Sequence, residues 1–379
     1  MSDSPNSSSS NQLGSEARAS LLLSLVPRVG PQIAGVLRQH FGSATAVLDA
    51  PPSELRSVPG VGSSLATEIA RASGAIDVET EIQRCLDHQI EIIPFGDDRY
   101  PKNLREIPDP PQVLYCQGDL LPTDMLSIAI VGTRHASHYG RKVASRLASA
   151  LARAGLTVVS GMARGIDAAA HHGCMEAGGR TLAVLPAGLT NIYPSEHKEL
   201  AFDISQCGAL LSESPSHAPI SRGTFPRRNR IVTGLSLGVI VIEAADRSGA
   251  LISARHASEQ GREVFAVPGP IDSRVSRGCH QLIRDGAKLV ENVDHILEEL
   301  GPLVEATSRD SGEVVHHPAE LQLNEQEQSV LKHIETTPTS VDVIISRTGL
   351  PVPRVLATIS ALELRRIVRR VGGNNVMRT

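Results

Sequence analysis

The chain contains no tryptophan and only four tyrosines and five phenylalanines among its 379 residues. So few rings cannot tile a stacking surface of the kind oligonucleotide-binding folds use, although single rings remain available for stacking. Cysteine is sparse as well. Cys85, Cys116, Cys174, Cys207 and Cys279 are scattered, odd in number and never in a C-x-x-C pair, which argues against a disulfide framework or a structural zinc site and fits a reducing cytoplasm. No run reaches the roughly 18 apolar residues of a membrane span, and the Ser-rich start lacks the basic region and cleavage pattern of a secretory signal. A cytoplasmic protein is expected. Positive charge is not in excess either: 37 Lys+Arg face 41 Asp+Glu, a net charge of -4. No global field draws nucleic acid or membrane to such a chain, so any anion site must be local.

What is present is apolar material, 41% of residues, for a sizeable core, and length for two or three domains at about 150 residues each. Residues 1–16, rich in serine, read as a disordered tail. Residues 17–80 read as a helical domain of helix-hairpin-helix type, because VPRVGPQIAGVL at 26–37 recurs as VPGVGSSLATEI at 58–69. Each copy sets a tight turn before an apolar-periodic helix. Such a turn can aim N–H groups at a phosphate, and a packing module without DNA contact fits the same pattern. Residues 81–300 read as the main domain with a leading proline-rich connector. Its apolar runs at 128–131, 157–159, 181–185, 209–211, 239–242 and 263–267 alternate with helical stretches at 139–154, 168–177 and 250–260. This rhythm predicts an α/β fold, a Rossmann-like doubly wound parallel sheet, with ligands beyond the carboxyl ends of the strands. After a charged linker at 301–323, residues 324–379 offer three helices and two short strands around Gly372 and Gly373, the pattern of a winged helix.

Candidate binding residues gather where strands hand over to helices. Gly132, Thr133 and Arg134 follow the first central strand, and Ser160, Gly161, Arg164 and Gly165 follow the second. These supply small residues for close approach, hydroxyls, and arginines that fork onto phosphate oxygens. Neither turn carries G-x-G-x-x-G or the P-loop string, so a nicotinamide cofactor or ATP is disfavoured and no cofactor is expected. The segment SRGTFPRRNR at 221–230 concentrates Arg222, Arg227, Arg228 and Arg230 without one acidic residue, and sets Phe225 and Asn229 among them. A ring amid guanidinium groups suits an unpaired base held beside its phosphates; core packing is the other reading of Phe225. Gly234-Leu235-Ser236-Leu237-Gly238 spells the nucleophile elbow, but here a helix precedes the serine and a strand follows, the reverse of what the elbow needs. The adjacent pairs His171-His172 and His316-His317 do not share a helix face, so no metal site is expected. Asp167 and Glu243 stand at strand ends without a nucleophile beside them, and a helix-start role suits Asp167. No catalytic residue is expected.

The strings VGTRHASHYG, SGMARGIDAAAHHG, FPRRNRIVTGLSLGVIVIEAADRSGALISARHASEQGREVFAVPG and GCHQLIRDGAKLV, spread through residues 128–295, closely resemble the DNA-processing protein DprA (Smf) family. The resemblance implies a Rossmann-like domain that binds single-stranded DNA without catalytic turnover, protects incoming DNA during natural transformation, and loads the RecA recombinase onto it for homologous recombination. It also implies a homodimer, with single-strand DNA-binding protein as a further partner. Matched by motif, the DNA pocket falls on Gly132, Thr133, Arg134, Ser160, Gly161, Arg164, Gly165, Arg222, Phe225, Arg228, Asn229 and Arg230, and the dimer surface on His280, Ile283 and Leu289. The flanking modules are similar to the family's sterile-alpha-motif or helix-hairpin-helix-like N-terminus and winged-helix C-terminus. Arg222 stands where the family often has Lys, and Leu185-Pro186-Ala187-Gly188 replaces its more usual G-C-G turn. Two other functions compete. A phosphoribohydrolase-like nucleotide-processing enzyme of similar fold would need P-G-G-x-G-T-x-x-E, and the nearest string, Val267-Pro268-Gly269-Pro270, lacks the Gly pair and the Glu. A duplex regulator working through the winged helix would depend on Arg365, Arg366, Arg369 and Arg370.

Overall fold

The structure, a computed structural model, describes residues 13–221, 223–304, 325–335, 337–364, 367–371 and 375–378. Most of the expected tail and linker, together with Arg222, His316-His317, Arg365, Arg366, Gly372 and Gly373, lies outside the described residues.

The chain opens with helices α1 (Ser15–Leu25), α2 (Pro31–Phe41), α3 (Ala44–Asp49), α4 (Pro52–Leu55), α5 (Ser63–Ala75) and α6 (Val78–Asp87). Leu23, Leu37, Val47, Leu55 and Ile69 form the core of this bundle. Its ends differ from the sequence reading: α1 begins two residues inside the expected tail, and α6 continues past residue 80. The repeat is real in three dimensions. Arg28, before α2, has φ 68°, and Gly60, before α5, has φ 86°. An arginine therefore takes, in the first copy, the left-handed backbone that glycine takes at the equivalent place in the second. The Arg28 guanidinium reaches the first turn of α5, donating to Ser64 Oγ at 3.0 Å and pairing with Glu68.

The proline-rich connector holds β1 (Glu91–Pro94), α7 (Lys102–Arg105) and β2 (Val113–Gly118). The central rhythm follows as β3 (Ser127–Gly132), α8 (His138–Arg153), β4 (Thr157–Ser160), α9 (Ile166–Glu176), β5 (Thr181–Val184), α10 (Lys198–Cys207) and β6 (Ala209–Ser212). It continues through α11 (Thr224–Leu235), β7 (Gly238–Ile242), α12 (Gly249–Glu259), β8 (Glu263–Ala266), α13 (Arg277–Arg284), β9 (Lys288–Leu289) and α14 (Asp294–Val304). All nine strands form one sheet in the order β1-β2-β6-β5-β4-β3-β7-β8-β9. The expectation of a parallel sheet needs one correction. Strands β3 to β9 run parallel, but β1 and β2 add an antiparallel edge, β2 pairing with β6. Prolines confined that segment to an edge, where fewer ladder donors are required.

Helices cover both faces, which is why the parallel strands read as continuous apolar runs. Leu104 of α7, Ile231 and Leu235 of α11 and Ala254 of α12 pack on one face. Leu147 of α8, Ala170 of α9 and Ile296 of α14 pack on the other. The helical module is fused to the sheet edge: Leu21 of α1 and Cys85 of α6 share a cluster with Ile92, Tyr115 and Leu210. A buried Glu81 carboxylate accepts the Ser216 backbone N–H at 2.6 Å and closes that seam.

The C-terminal region, α15 (Glu325–Leu331), β10 (Thr339–Ser340), α16 (Val341–Thr348), α17 (Val352–Leu364), β11 (Val368–Val371) and β12 (Asn375–Arg378), closes a small sheet in the order β10-β12-β11. This is a winged helix around Val330, Ile344, Ile359 and Val376. Among the described residues no helix is long and apolar enough to cross a membrane.

One topological feature positions the site. After β3 the chain builds outward through β4, β5 and β6, whereas after β7 it builds the opposite way through β8 and β9. Neighbouring strands β3 and β7 therefore flank the switch point, beyond whose carboxyl ends doubly wound sheets bind ligands.

Candidate nucleic-acid interface

A cleft of about 300 Å³ opens at this switch point, walled by the turns after β3, β4 and β7 and by the first turn of α11. Its backbone depends on glycine. Gly165 has φ 81°, and a Cβ there would lie 2.4 Å from the Thr133 carbonyl oxygen, so the two turns touch only because that side chain is missing. A Cβ on Gly161 would lie 1.5 Å from Nη1 of Arg228. The arginine is thus laid flat against the Gly161 backbone.

Arg228 is buried at the floor of the cleft, where Nη1 donates to the Val184 carbonyl at 2.8 Å and Nε has no partner among the described residues. Burial lowers its pKa, and the nearby Asp167 works against that shift. Asp167 is pushed up by its own burial and pulled down by Arg228, and it accepts the Ala163 N–H at 3.2 Å. It braces the loop after β4. The helix-start role fits, since Asp167 lies in the first turn of α9.

Arg134 leaves the turn after β3 and lays its guanidinium over the Phe225 ring, 4.7 Å from the centroid. Phe225 is half-buried and belongs to none of the apolar core clusters. The structure therefore favours a ring kept at the rim over one anchored in the core. Asn229 also lines the cleft, its Nδ2 within 3.4 Å of the Gly249 carbonyl. Arg164 lines an adjoining recess with Arg134 and Phe225 and forms an exposed ion pair with Glu196 at 2.5 Å.

Of the other expected site residues, Gly132 and Thr133 line the cleft, whereas Ser160 and Arg230 do not. Arg230 is turned away: it is buried in ion pairs with Asp109, at 3.2 Å, and Glu213. The reason is helical geometry. Residues 224–235 form α11, and a rotation of about 100° per residue turns Arg228 and Arg230 to different sides. Arg227 leans toward the same Glu213 carboxylate at 3.6 Å, so the apparent cluster divides into Arg228 in the cleft and Arg227 and Arg230 at Glu213. Ser160 is fully buried and donates to the Ile130 carbonyl at 2.6 Å inside the sheet. Thr133 Oγ1 accepts the His135 N–H at 3.2 Å, and the Thr133 N–H donates to the Glu243 carbonyl at 2.8 Å. Gly132 is small because β7 demands it: a Cβ would stand 2.0 Å from the Ile242 carbonyl.

The remaining motifs are structural. Glu243 holds a left-handed backbone, φ 54°, and its carboxylate accepts the Ser137 N–H at 2.8 Å and the Ser137 hydroxyl, capping α8. Ser236 is buried, its hydroxyl donating to the Val232 carbonyl at 3.0 Å. Buried His171 bonds Thr181 Oγ1 at 2.7 Å, and burial lowers its pKa to about 3. Among the described residues no three His, Cys, Asp or Glu side chains stand together as metal ligands would.

Two parts of the site escaped the sequence reading. The start of α12, with Ser248, Gly249 and Ser253, also lines the cleft, and it follows the same strand-to-helix rule that located the first two turns. Tyr193, in the segment after β5, meets Phe225 edge to face with centroids 5.7 Å apart. The α9, α11 and α12 N-terminal turns all contribute cleft residues, so the partial positive ends of three helices converge on one space. The arrangement suits an anionic group with an apolar ring beside it.

On the expected dimer segment, the imidazole of His280 bonds the Gly269 carbonyl at 2.9 Å, Ile283 packs half-buried against the main core, and Leu289 is exposed.

Comparison with known proteins gives a consistent result. The family model of DNA recombination-mediator protein A matches residues 91–301, and that of the DprA winged helix domain matches residues 315–374. Protein Smf of Escherichia coli is 40% identical over 286 residues, covering 75% of this chain and 76% of that protein. The X-ray structure of DNA processing protein A from Streptococcus pneumoniae superposes with a TM-score of 0.65 at 33% identity, covering 76% of this chain and 98% of that one. A Helicobacter pylori DNA processing protein A, solved for its single-stranded DNA binding mode, gives a TM-score of 0.50 at 31% identity, over 56% of this chain and 95% of that one.

Proposed function

The chain belongs to the DNA recombination-mediator protein A family, and from that premise we propose that it binds single-stranded DNA in the switch-point cleft as a carrier without catalytic turnover. It protects incoming DNA and loads the RecA recombinase during natural transformation or homologous recombination, acting in the cytoplasm as a homodimer. Single-strand DNA-binding protein is the further partner it would meet on such DNA. The observation that carries this reading is the Arg134 guanidinium stacked on the Phe225 ring at 4.7 Å, at the rim of a cleft floored by Arg228. A cation and a ring held together suit a phosphate and its unpaired base. Gly132, Thr133, Gly161, Arg164, Gly165 and Asn229 shape and line the path; Ser160 and Arg230 are left out of the contact set. The direct test is competition at fixed salt between a labelled single strand and unlabelled single strand, duplex or mononucleotide. Single strand alone should displace the label at stoichiometric concentration, and equal displacement by duplex would refute the reading.

Phe225→Ala supplies a second check. Because the ring lies outside the core clusters, its loss should weaken single-strand binding by about 1–3 kcal/mol with a melting temperature close to the parent's. A fall of about 3–5 kcal/mol in folding stability would return the ring to a packing role.

The dimer surface is best tested at Leu289, 43% exposed, since Ile283 already packs against its own core. Leu289→Glu should sediment as a monomer and lose affinity for long oligonucleotides while keeping it for short ones, because two linked sites add avidity only where one strand reaches both. A variant that still dimerises would exclude this surface.

A further inference from the structure

We propose that Tyr193 is a second base-contacting residue of this cleft, stacking an unpaired nucleobase next to the one at Phe225; this deepens the single-strand reading and rests on it. Four observations lead there. Tyr193 and Phe225 meet at 5.7 Å with their planes 70° apart, so the two rings form a corner instead of a closed stack. Arg134 covers one approach to Phe225 at 4.7 Å, which leaves the Tyr193 side as the other aromatic approach. Tyr193 lines a recess shared with Arg134, Arg164 and Pro186, so any base on it has guanidinium groups within reach of its phosphate. Finally, the ring is only half-buried in a chain where Tyr100, Tyr115 and Phe265 are spent in the core.

The segment that carries Tyr193 is fixed in place. Thr190 Oγ1 donates to the Ser216 carbonyl at 2.7 Å, Asn191 Nδ2 to the His217 carbonyl at 3.0 Å, and the His197 imidazole bonds the Met162 carbonyl at 2.9 Å. A ring held this way loses little freedom on binding, which favours stacking. Glu196, three residues on, pairs with Arg164, and an arriving phosphate would displace that carboxylate. A base engaged in a duplex is sandwiched between its neighbours, so this contact also favours single strands over duplex.

The experiment uses the full chain and two fluorescent 12-mers of equal charge, one of thymidines and one wholly abasic, with anisotropy as the readout. Tyr193→Ala should weaken the thymidine oligomer about tenfold, within the range known for one base–ring stack, and leave the abasic oligomer unchanged; Tyr193→Phe should match the parent on both. Because the chain lacks tryptophan, Tyr193→Trp adds a single fluorophore that thymidine should quench and the abasic strand should not, a measurement independent of how well the alanine variant folds. Equal weakening on both oligomers, or no weakening and no quenching, overturns the proposal while the single-strand reading stands. A parent protein that binds neither oligomer overturns both.

Discussion

Arg230→Ala should cost about 3–5 kcal/mol of folding stability and leave the single-strand affinity of the folded protein unchanged. The Arg230 and Glu213 side chains are 5% and 11% exposed, and Asp109 stands 3.2 Å from Nε of the same guanidinium. Removing one member of a buried pair leaves an uncompensated charge, which is why the loss exceeds that of a surface bridge. The deficit should also depend on pH. Burial holds the Glu213 carboxyl above its ordinary value, and Arg230 is the largest influence pulling it down. Without that pull the folded-state pKa rises further. A raised carboxyl pKa in the folded state means stability is present below the unfolded value and lost as pH climbs through the folded one. The deficit of the variant should therefore be smallest near pH 4, the ordinary carboxylate range, and grow toward neutrality. Urea unfolding across that range checks this, and a variant with parental stability that fails to bind would place Arg230 back in the interface.

Arg134→Ala should do the opposite: roughly tenfold to a hundredfold weaker single-strand binding, with folding nearly intact. A guanidinium hydrogen-bonded to phosphate is worth about 1.5–3 kcal/mol. Its removal also uncovers a face of Phe225, now without the cation that lies 4.7 Å away. Arg134 carries no salt bridge to another residue among those described, so no buried partner is stranded. Arg134→Lys should recover part of the affinity, since charge is kept and the planar fork is lost. A melting curve shifted as far as that of Arg230→Ala would contradict this assignment.

The contrast between these two arginines shows where sequence reading succeeds and stops. Strand ends were legible because apolar runs bounded by glycine mark them, and Gly161 and Gly165 sit where a Cβ would strike Arg228 or Thr133. The winged helix was legible from three helices followed by two short strands. Arg228 and Arg230 were not separable, because proximity along the chain says nothing about direction until residues 224–235 are known to be helical. Ser160 was misread for a related reason: a hydroxyl at a strand end looks available until the neighbouring Ile130 carbonyl claims it. The antiparallel edge was hidden since β2, which carries β1 on its outer side, pairs with β6 about a hundred residues on, a non-local choice that no local pattern records. Tyr193 was missed because it follows a strand by nine residues instead of opening a helix.

The most direct test of the central claim, that phosphates of a single strand are held in the switch-point cleft, is the salt dependence of binding. The affinity of the parent, Arg134→Ala and Arg230→Ala for one thymidine oligonucleotide should be measured over a series of salt concentrations and plotted as log K against log salt. Each phosphate contact on a single strand contributes about -0.7 to the slope. The predicted result is a line for Arg134→Ala shallower than the parent's by about 0.7, with Arg230→Ala parallel to the parent. Three parallel lines, or a flattened line for Arg230→Ala alone, would contradict the cleft as the place where DNA is held.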